Sequence, residues 1–283
     1  MKHWLAPAFS AALVLWSTIA TAQPQAPGSY ATLVLPLSSE SSATAINASG
    51  VVAGNFGDTN GRGFVLKGRS AEAIDCPGAT DTVVWGINNV GDVVGGYLAP
   101  DGSVHGFLLS RGVFSTVDYP GATLTSLSGI NAAGDIVGYY RVGSGPRRGF
   151  LRSGGTFTSL EFPGSTDTRA LGINAAGDIV GRYTSAGRVH GFLLRSGGFS
   201  SIDFPGALNT QATGINAKGE IVGGWLDPSG VDRGFVLSGD AFASIDFPGA
   251  QFTRGWGIAD TGQIVGDYLA PDFTFHGFVL SGR

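Results

Sequence analysis

Leu171–Gly181 reads LGINAAGDIVG, and the chain repeats nearly that phrase six times. Close copies begin at Trp85 (WGINNVGDVVG), Ser128 (SGINAAGDIVG) and Thr213 (TGINAKGEIVG), looser ones at Thr44 (TAINASGVVAG) and Trp256 (WGIADTGQIVG). The asparagine keeps time: Asn47, Asn88, Asn131, Asn174, Asn216 and then Ala259, in steps of 41, 43, 43, 42 and 43 residues. Phe64, Phe107, Phe150, Phe192, Phe235 and Phe278 recur with the same period, each directly after glycine. A fixed period of about 40–45 residues marks a repeat array, because one such unit cannot bury its own hydrophobic face and must stack on its neighbours.

One repeat, Thr168 to Gly206, divides into four strands. Thr168–Asn174 is the first, and Asn174-Ala175-Ala176-Gly177 closes a tight turn in which the Asn side chain can bond the backbone and Gly can take positive φ. Asp178–Tyr183 returns as the second strand, His190–Arg195 is the third, and Phe199–Phe204 is the fourth, ended by Pro205-Gly206. Pro-Gly suits the two central places of a type II turn. Four strands per repeat without any helical period predict a four-stranded antiparallel blade. In the first strand, Gly172 and its copies make one small face and Ile173 and its copies a bulky one. A sheet sandwiched between two others needs both faces uncharged, and large side chains of one blade are expected to meet the small face of the next.

The two ends predict a closed ring. The last copy stops at His276–Arg283 (HGFVLSGR), before a fourth strand, and an unassigned strand, Tyr30–Leu37 (YATLVLPL), precedes the first copy. Pairing the second onto the first completes six blades and hides edges that would otherwise recruit other chains. The expected fold is therefore all-β: a six-bladed β-propeller over residues 30–283.

The pattern resembles the extracellular repeat family named for its His-Ala-Phe motif, the HAF repeats. Gly172-Ile173-Asn174, Val180-Gly181 and His190-Gly191-Phe192-Leu193 carry the likeness, with equivalents over nearly all of residues 30–283. Gly replaces the central Ala throughout, and Arg replaces His in three copies. The resemblance implies an extracellular repeat protein and no particular activity.

The first residues support export. Lys2 and His3 precede an apolar run, Leu13–Ala20, and Ala20-Thr21-Ala22 offers a small-x-small cleavage site, so residues 1–22 read as a signal peptide cut after Ala22. The run is shorter than the about 20 apolar residues that a membrane span needs. Residues 23–29 (QPQAPGS) read as a flexible tail, and the expected location is secreted or periplasmic. Cleavage removes Lys2 alone among the charged side chains, leaving 16 basic and 21 acidic residues, net −5. That balance argues against nucleic acid, whose phosphates need a basic surface. Cys76, the single cysteine, occupies a slot held elsewhere by Tyr119, Phe162, Phe204 and Phe247, so it reads as a buried apolar filler.

Several recurring positions are candidates for function. His105, His190 and His276 alternate with Arg62, Arg148 and Arg233 in one slot. Three imidazoles could bind zinc or copper, but the slot lies away from the ring axis and Arg shares it. A structural bond to Asp75, Asp118, Glu161, Asp203 or Asp246 is the expected role, and no metal or cofactor is expected. The aromatic slot after the second strand holds Phe56, Tyr97, Tyr140, Tyr183, Trp225 and Tyr268. The last five could stack on sugar rings, with packing between blades as the alternative. Arg169 and Arg254 sit where the inter-blade connection varies and could contact an anionic group. The loop from second to third strand varies as well, and both variable segments fall on one face, where binding residues collect. Loop aspartates such as Asp101 sit beside Pro or Gly as ordinary turn residues, without the dense ligands of a calcium loop.

No nucleophile elbow, zinc-protease helix or phosphate loop occurs. The expected function is a non-enzymatic binding scaffold for a glycan or a protein, acting through the variable loop face. A hydrolase or lyase using loop carboxylates at the ring mouth, and a purely structural envelope protein, are the alternatives.

Overall fold

A computed structural model describes residues 26, 28–35, 38–57 and 61–282. The signal segment 1–22, with most of the 23–29 tail, lies outside the described residues. Among those described, no helix is long and apolar enough to cross a membrane.

The chain is a six-bladed β-propeller of four-stranded antiparallel blades. Blade 1 runs from Ser41 to Ile74, blade 2 from Asp81 to Thr116, blade 3 from Leu124 to Leu160, blade 4 from Asp167 to Ile202 and blade 5 from Asn209 to Ile245. A parallel bridge, Leu124 to Val104, joins the sheets of blades 2 and 3. Blade 6 takes three strands from Phe252–Ser281 and its outer strand from Ser29–Thr32, which pairs antiparallel with the strand Phe275–Ser281. The ring is thus closed by the start of the chain, as the complementary ends predict.

The closing segment is shorter and better anchored than its sequence suggests. Its ladder runs over Ser29–Thr32, and positions 36 and 37 of the expected strand Tyr30–Leu37 lie outside the described residues. Ala26, expected in a flexible tail, is buried and donates its N–H to Ser244 O at 2.7 Å. Leu33 still donates its N–H to Gly277 O at 2.8 Å, and Leu33 and Leu35 pack on the core between blades 6 and 1.

Each of the six apolar clusters joins residues of two adjacent blades. Val180 of blade 4, for example, packs with Ala212, Ile221 and Phe235 of blade 5. The phenylalanine that follows glycine in the third strand lies at the centre of every cluster and is at most 1% exposed. Inner strands meet glycine on backbone: a Cβ at Gly172 would stand 2.9 Å from Thr213 O and 3.2 Å from the Gly214 Cα. The expectation that large side chains meet this small face is therefore corrected. Near the axis the first strands converge too closely for a side chain between them.

The repeated asparagine has two jobs. Asn174 Oδ1 accepts the N–H groups of Ala176 and Asp178 at 3.0 and 2.9 Å, which holds the turn. Its Nδ2 donates to Asn216 O on the next blade at 3.2 Å. Asn47, Asn88, Asn131 and Asn216 do the same, so a belt of side-chain bonds links the blades around one face and is interrupted at Ala259. Asn174→Ala should cost about 2 kcal/mol, through the lost turn bonds and the orphaned Asn216 carbonyl. Ala259→Asn should complete the belt and add about 0.5–1 kcal/mol. Urea unfolding midpoints test both; opposite signs at these two positions are required.

Candidate functional site

The second-to-third-strand loops and the inter-blade connections share the face opposite the asparagine belt. There each first strand begins, paired with the end of the second. One register couple recurs in all six blades: Ser42 with Asn55, Val83 with Gly96, Ser126 with Tyr139, Arg169 with Arg182, Gln211 with Gly224, and Arg254 with Asp267. The second member of each couple faces the following blade. Asn55 exchanges two hydrogen bonds with Val84, Asp267 accepts one from Ser42 at 2.9 Å, and Tyr139 lies under the Arg169 guanidinium at 5.2 Å.

Where that member is glycine, nothing fills the gap. Two clefts open at equivalent places, one at Gly96 and one at Gly224. The smaller, lined by Asp81, Val83, Trp85, Tyr97, Leu98 and Val104, is mostly apolar. The larger, open to solvent, lies at the junction of blades 4, 5 and 6. Asn209, Gln211, Asp232, Arg182 and Arg254 line it together with Trp225. Asp232 holds Arg254 at 2.5 Å, and Asn209 Oδ1 accepts the Val189 N–H at 2.9 Å. Trp85 and Trp256 approach to 6.0 Å from blades 2 and 6, on either side of blade 1.

The structure separates the aromatic candidates. Tyr140, Tyr183, Trp225 and Tyr268 are buried, and each has a ring face covered by Tyr119, Phe162, Phe204 or Phe247 at 3.6–4.0 Å. They form an inter-blade stack and do not offer a row of faces to sugars, since blade packing claims the apolar ring surface. Trp225 still lines the larger cleft while its Nε1 donates to Gly234 O. Tyr97 is half-buried and lines the smaller cleft. The slot that covers this ring in other blades holds Cys76 here, and Tyr97 stacks on His105 at 5.2 Å. Cys76 itself is half-buried, not buried, and burial raises its thiol pKa. Arg254 joins the larger cleft; Arg169 is outside its lining but stands opposite Arg182, which is in it, and pairs with Asp167 at 3.0 Å.

The histidine–arginine slot forms the within-blade pairs expected of it. Arg62 pairs with Asp75, His105 with Asp118 at 2.7 Å, Arg148 with Glu161 at 3.2 Å, His190 with Asp203 at 2.7 Å and Arg233 with Asp246 at 3.1 Å. His276, whose blade takes its fourth strand from elsewhere, bonds Thr274 at 2.8 Å instead. Among the described residues no group of three metal-binding side chains occurs.

Asp267 is the deepest carboxyl at the mouth. Burial raises its pKa, while Arg254 and the Ser42 hydroxyl draw it back. The folded state therefore holds this proton more tightly than the unfolded chain does. Its contribution is favourable at low pH and is lost as pH rises through the raised value. Wild-type melting temperature should carry a component that declines above about pH 4, and Asp267→Asn should remove it. An identical pH profile in the variant would count against this assignment.

The register couple escaped the sequence reading. Its trace is the doublet Gly95-Gly96 and Gly223-Gly224 against Tyr139, Arg182, Asn55 and Asp267 in the other copies. That contrast has meaning only once the position is known to face a neighbouring blade.

No protein-family model and no curated protein matches the sequence. Solved structures share its fold. The Aleuria aurantia lectin in complex with Fucα1-6GlcNAc is 14% identical, with 86% of this chain and 93% of that one covered at a TM-score of 0.56. That lectin is described as a six-bladed β-propeller with a novel fucose recognition mode. A triple arginine-to-alanine mutant of AofleA from Arthrobotrys oligospora is 16% identical, covering 87% and 84% at 0.56. TolB from Acinetobacter baumannii is 10% identical, covering 87% of this chain and 64% of its own at 0.54. At such identities the likeness is one of fold.

Proposed function

We propose that the chain is an exported glycan-binding propeller that holds its ligand in the larger cleft, at the junction of blades 4, 5 and 6. The observation that carries the reading is the convergence of Asn209, Gln211, Asp232 and Arg254 around an edge of Trp225. Sugar hydroxyls both donate and accept. Side-chain amides, a carboxylate and a guanidinium supply paired acceptors and donors for them, and an indole edge covers apolar C–H groups. The lectins among the structural neighbours support the reading, as do the HAF-like repeats and the N-terminal apolar run for export. An exported protein beginning at Gln23 by mass spectrometry tests the second part.

The binding test is a glycan array followed by titration of the retained sugar. Asn209→Ala and Gln211→Ala should each weaken binding about tenfold by removing one or two hydrogen bonds; the melting temperature should be unchanged in Gln211→Ala and slightly lowered in Asn209→Ala, where the Val189 N–H loses its acceptor. Trp225→Ala is unsuitable, because it would open the inter-blade stack. Retention unaltered in the double variant would sink the reading.

A further inference from the structure

We propose that Arg141, Arg147, Arg169 and Arg182 form an anion-binding subsite beside the larger cleft, taking a compact oxyanion such as the carboxylate of an acidic sugar. The proposal rests on the glycan reading for the identity of the ligand, and on different observations for the site itself.

Five elements of geometry bring the four guanidinium groups together. Arg169 and Arg182 stand directly opposite each other across the first two strands of blade 4. Like charges in that relation repel unless something lies between them. Arg169 also lies over Tyr139 of blade 3 at 5.2 Å. Arg141 is two residues further along the same strand as Tyr139, hence on the same face. The Arg147 carbonyl accepts the Thr168 N–H at 3.0 Å, which pins Arg147 beside the start of blade 4. Arg182 in turn lines the larger cleft, so the cluster is contiguous with it.

The charge there is not balanced. Arg62, Arg148, Arg195, Arg233 and Arg254 each have a carboxylate partner. In the cluster, Asp167 is the single carboxylate, and it is engaged by Arg169. Among the described residues Arg141, Arg147 and Arg182 make no ion pair, and the Nε atoms of Arg141 and Arg147 are buried without a hydrogen-bond partner. Burial, with repulsion from Arg169, lowers the Arg182 pKa to about 10. It remains charged at neutral pH, so an oxyanion would meet desolvated donors whose bonds are unmade, in a chain whose net charge is −4. Planar, bidentate recognition of a carboxylate or sulfate suits guanidinium groups.

The test titrates the exported protein with trigalacturonate, with the neutral galactose trimer and with potassium sulfate. The acidic trimer should bind at least about tenfold more tightly than the neutral one, and the difference should shrink with added salt. Arg182→Gln and Arg147→Gln should remove that difference, whereas Arg62→Gln, on the rim and paired with Asp75, should not. Sulfate should raise the melting temperature of wild type but not of Arg182→Gln. Arg182→Gln should itself be no less stable than wild type, because a desolvated charge is gone. Equal affinity for the two trimers would overturn the subsite and leave the glycan reading intact. Failure of both trimers with a retained, Arg182-dependent sulfate shift would overturn the glycan reading and keep the anion site. Failure of all three probes would overturn both.

Discussion

Gly181→Ala is expected to destabilise the protein by about 3–5 kcal/mol, a large effect for one methyl group. A Cβ at Gly181 would lie 2.0 Å from Arg169 O and 2.7 Å from the Phe192 ring. Neither neighbour can retreat. The carbonyl belongs to the first strand of the same hairpin, and Phe192 is fully buried in the inter-blade core. Equivalent glycines stand against Phe64, Phe107, Phe150, Phe235 and Phe278. The two repeating signals, Val-Gly and Gly-Phe, are thus one device: the ring of the third strand lies on the bare backbone of the second. Gly198→Ala is the control, since its added Cβ would come no closer than 3.6 Å to a neighbour; it should stay within about 0.5 kcal/mol. Urea unfolding of both variants decides the matter, and a midpoint for Gly181→Ala near that of Gly198→Ala would refute it.

Removing the closing segment is expected to have the other large effect. A chain starting at residue 38 lacks the outer strand Ser29–Thr32 and loses the buried Ala26 and Leu35. It also loses Tyr30, whose ring meets Phe247 at 5.4 Å and Phe278 at 5.7 Å. Burial of these side chains and the four ladder pairs together contribute about 5 kcal/mol or more. That approaches the whole stability of a typical domain. The strand Phe275–Ser281 would become an open edge, and open edges recruit other strands. The truncated chain should therefore associate in a concentration-dependent way, visible by light scattering, and a peptide of residues 26–35 should restore the monomer. A monomeric truncated chain with an unchanged unfolding midpoint would refute the closure's importance.

Much of the architecture was legible in residues that recur. Asn174-Ala175-Ala176-Gly177 turns as its composition requires, with Gly177 at φ +82° and its N–H on Asn174 O at 3.1 Å. Pro205-Gly206 turns likewise, with Gly206 at φ +79° and the Ala207 N–H on Phe204 O at 3.0 Å. These are local effects, set by backbone sterics within four residues. Blade number and ring closure followed from counting, since a repeat that lacks one strand and a strand that lacks a repeat complete each other.

The candidate site was legible only in part. Arg254 and Trp225 were singled out by position and do line the larger cleft, and Tyr97 lines the smaller one. Tyr140, Tyr183 and Tyr268 carried the same signal and instead form the stack between blades. An aromatic that recurs every 43 residues looks identical whether its face meets a ligand or the next repeat's phenylalanine. Composition cannot tell these apart, because both environments reward the same apolar ring.

The sequence by itself determined the repeat, its turns, the number of blades and the complementary ends. Each depends on near neighbours or on a period, and both are written along the chain. Only the tertiary structure decided that position 182 and its copies face the following blade. It alone shows that glycine there leaves a cleft, that Asn209 and Asp232 meet Arg254 across two blades, and that four arginines from blades 3 and 4 share one mouth. Those contacts join residues about forty positions apart or bring side chains together around the ring's entrance, so they exist only after the blades have closed around their axis.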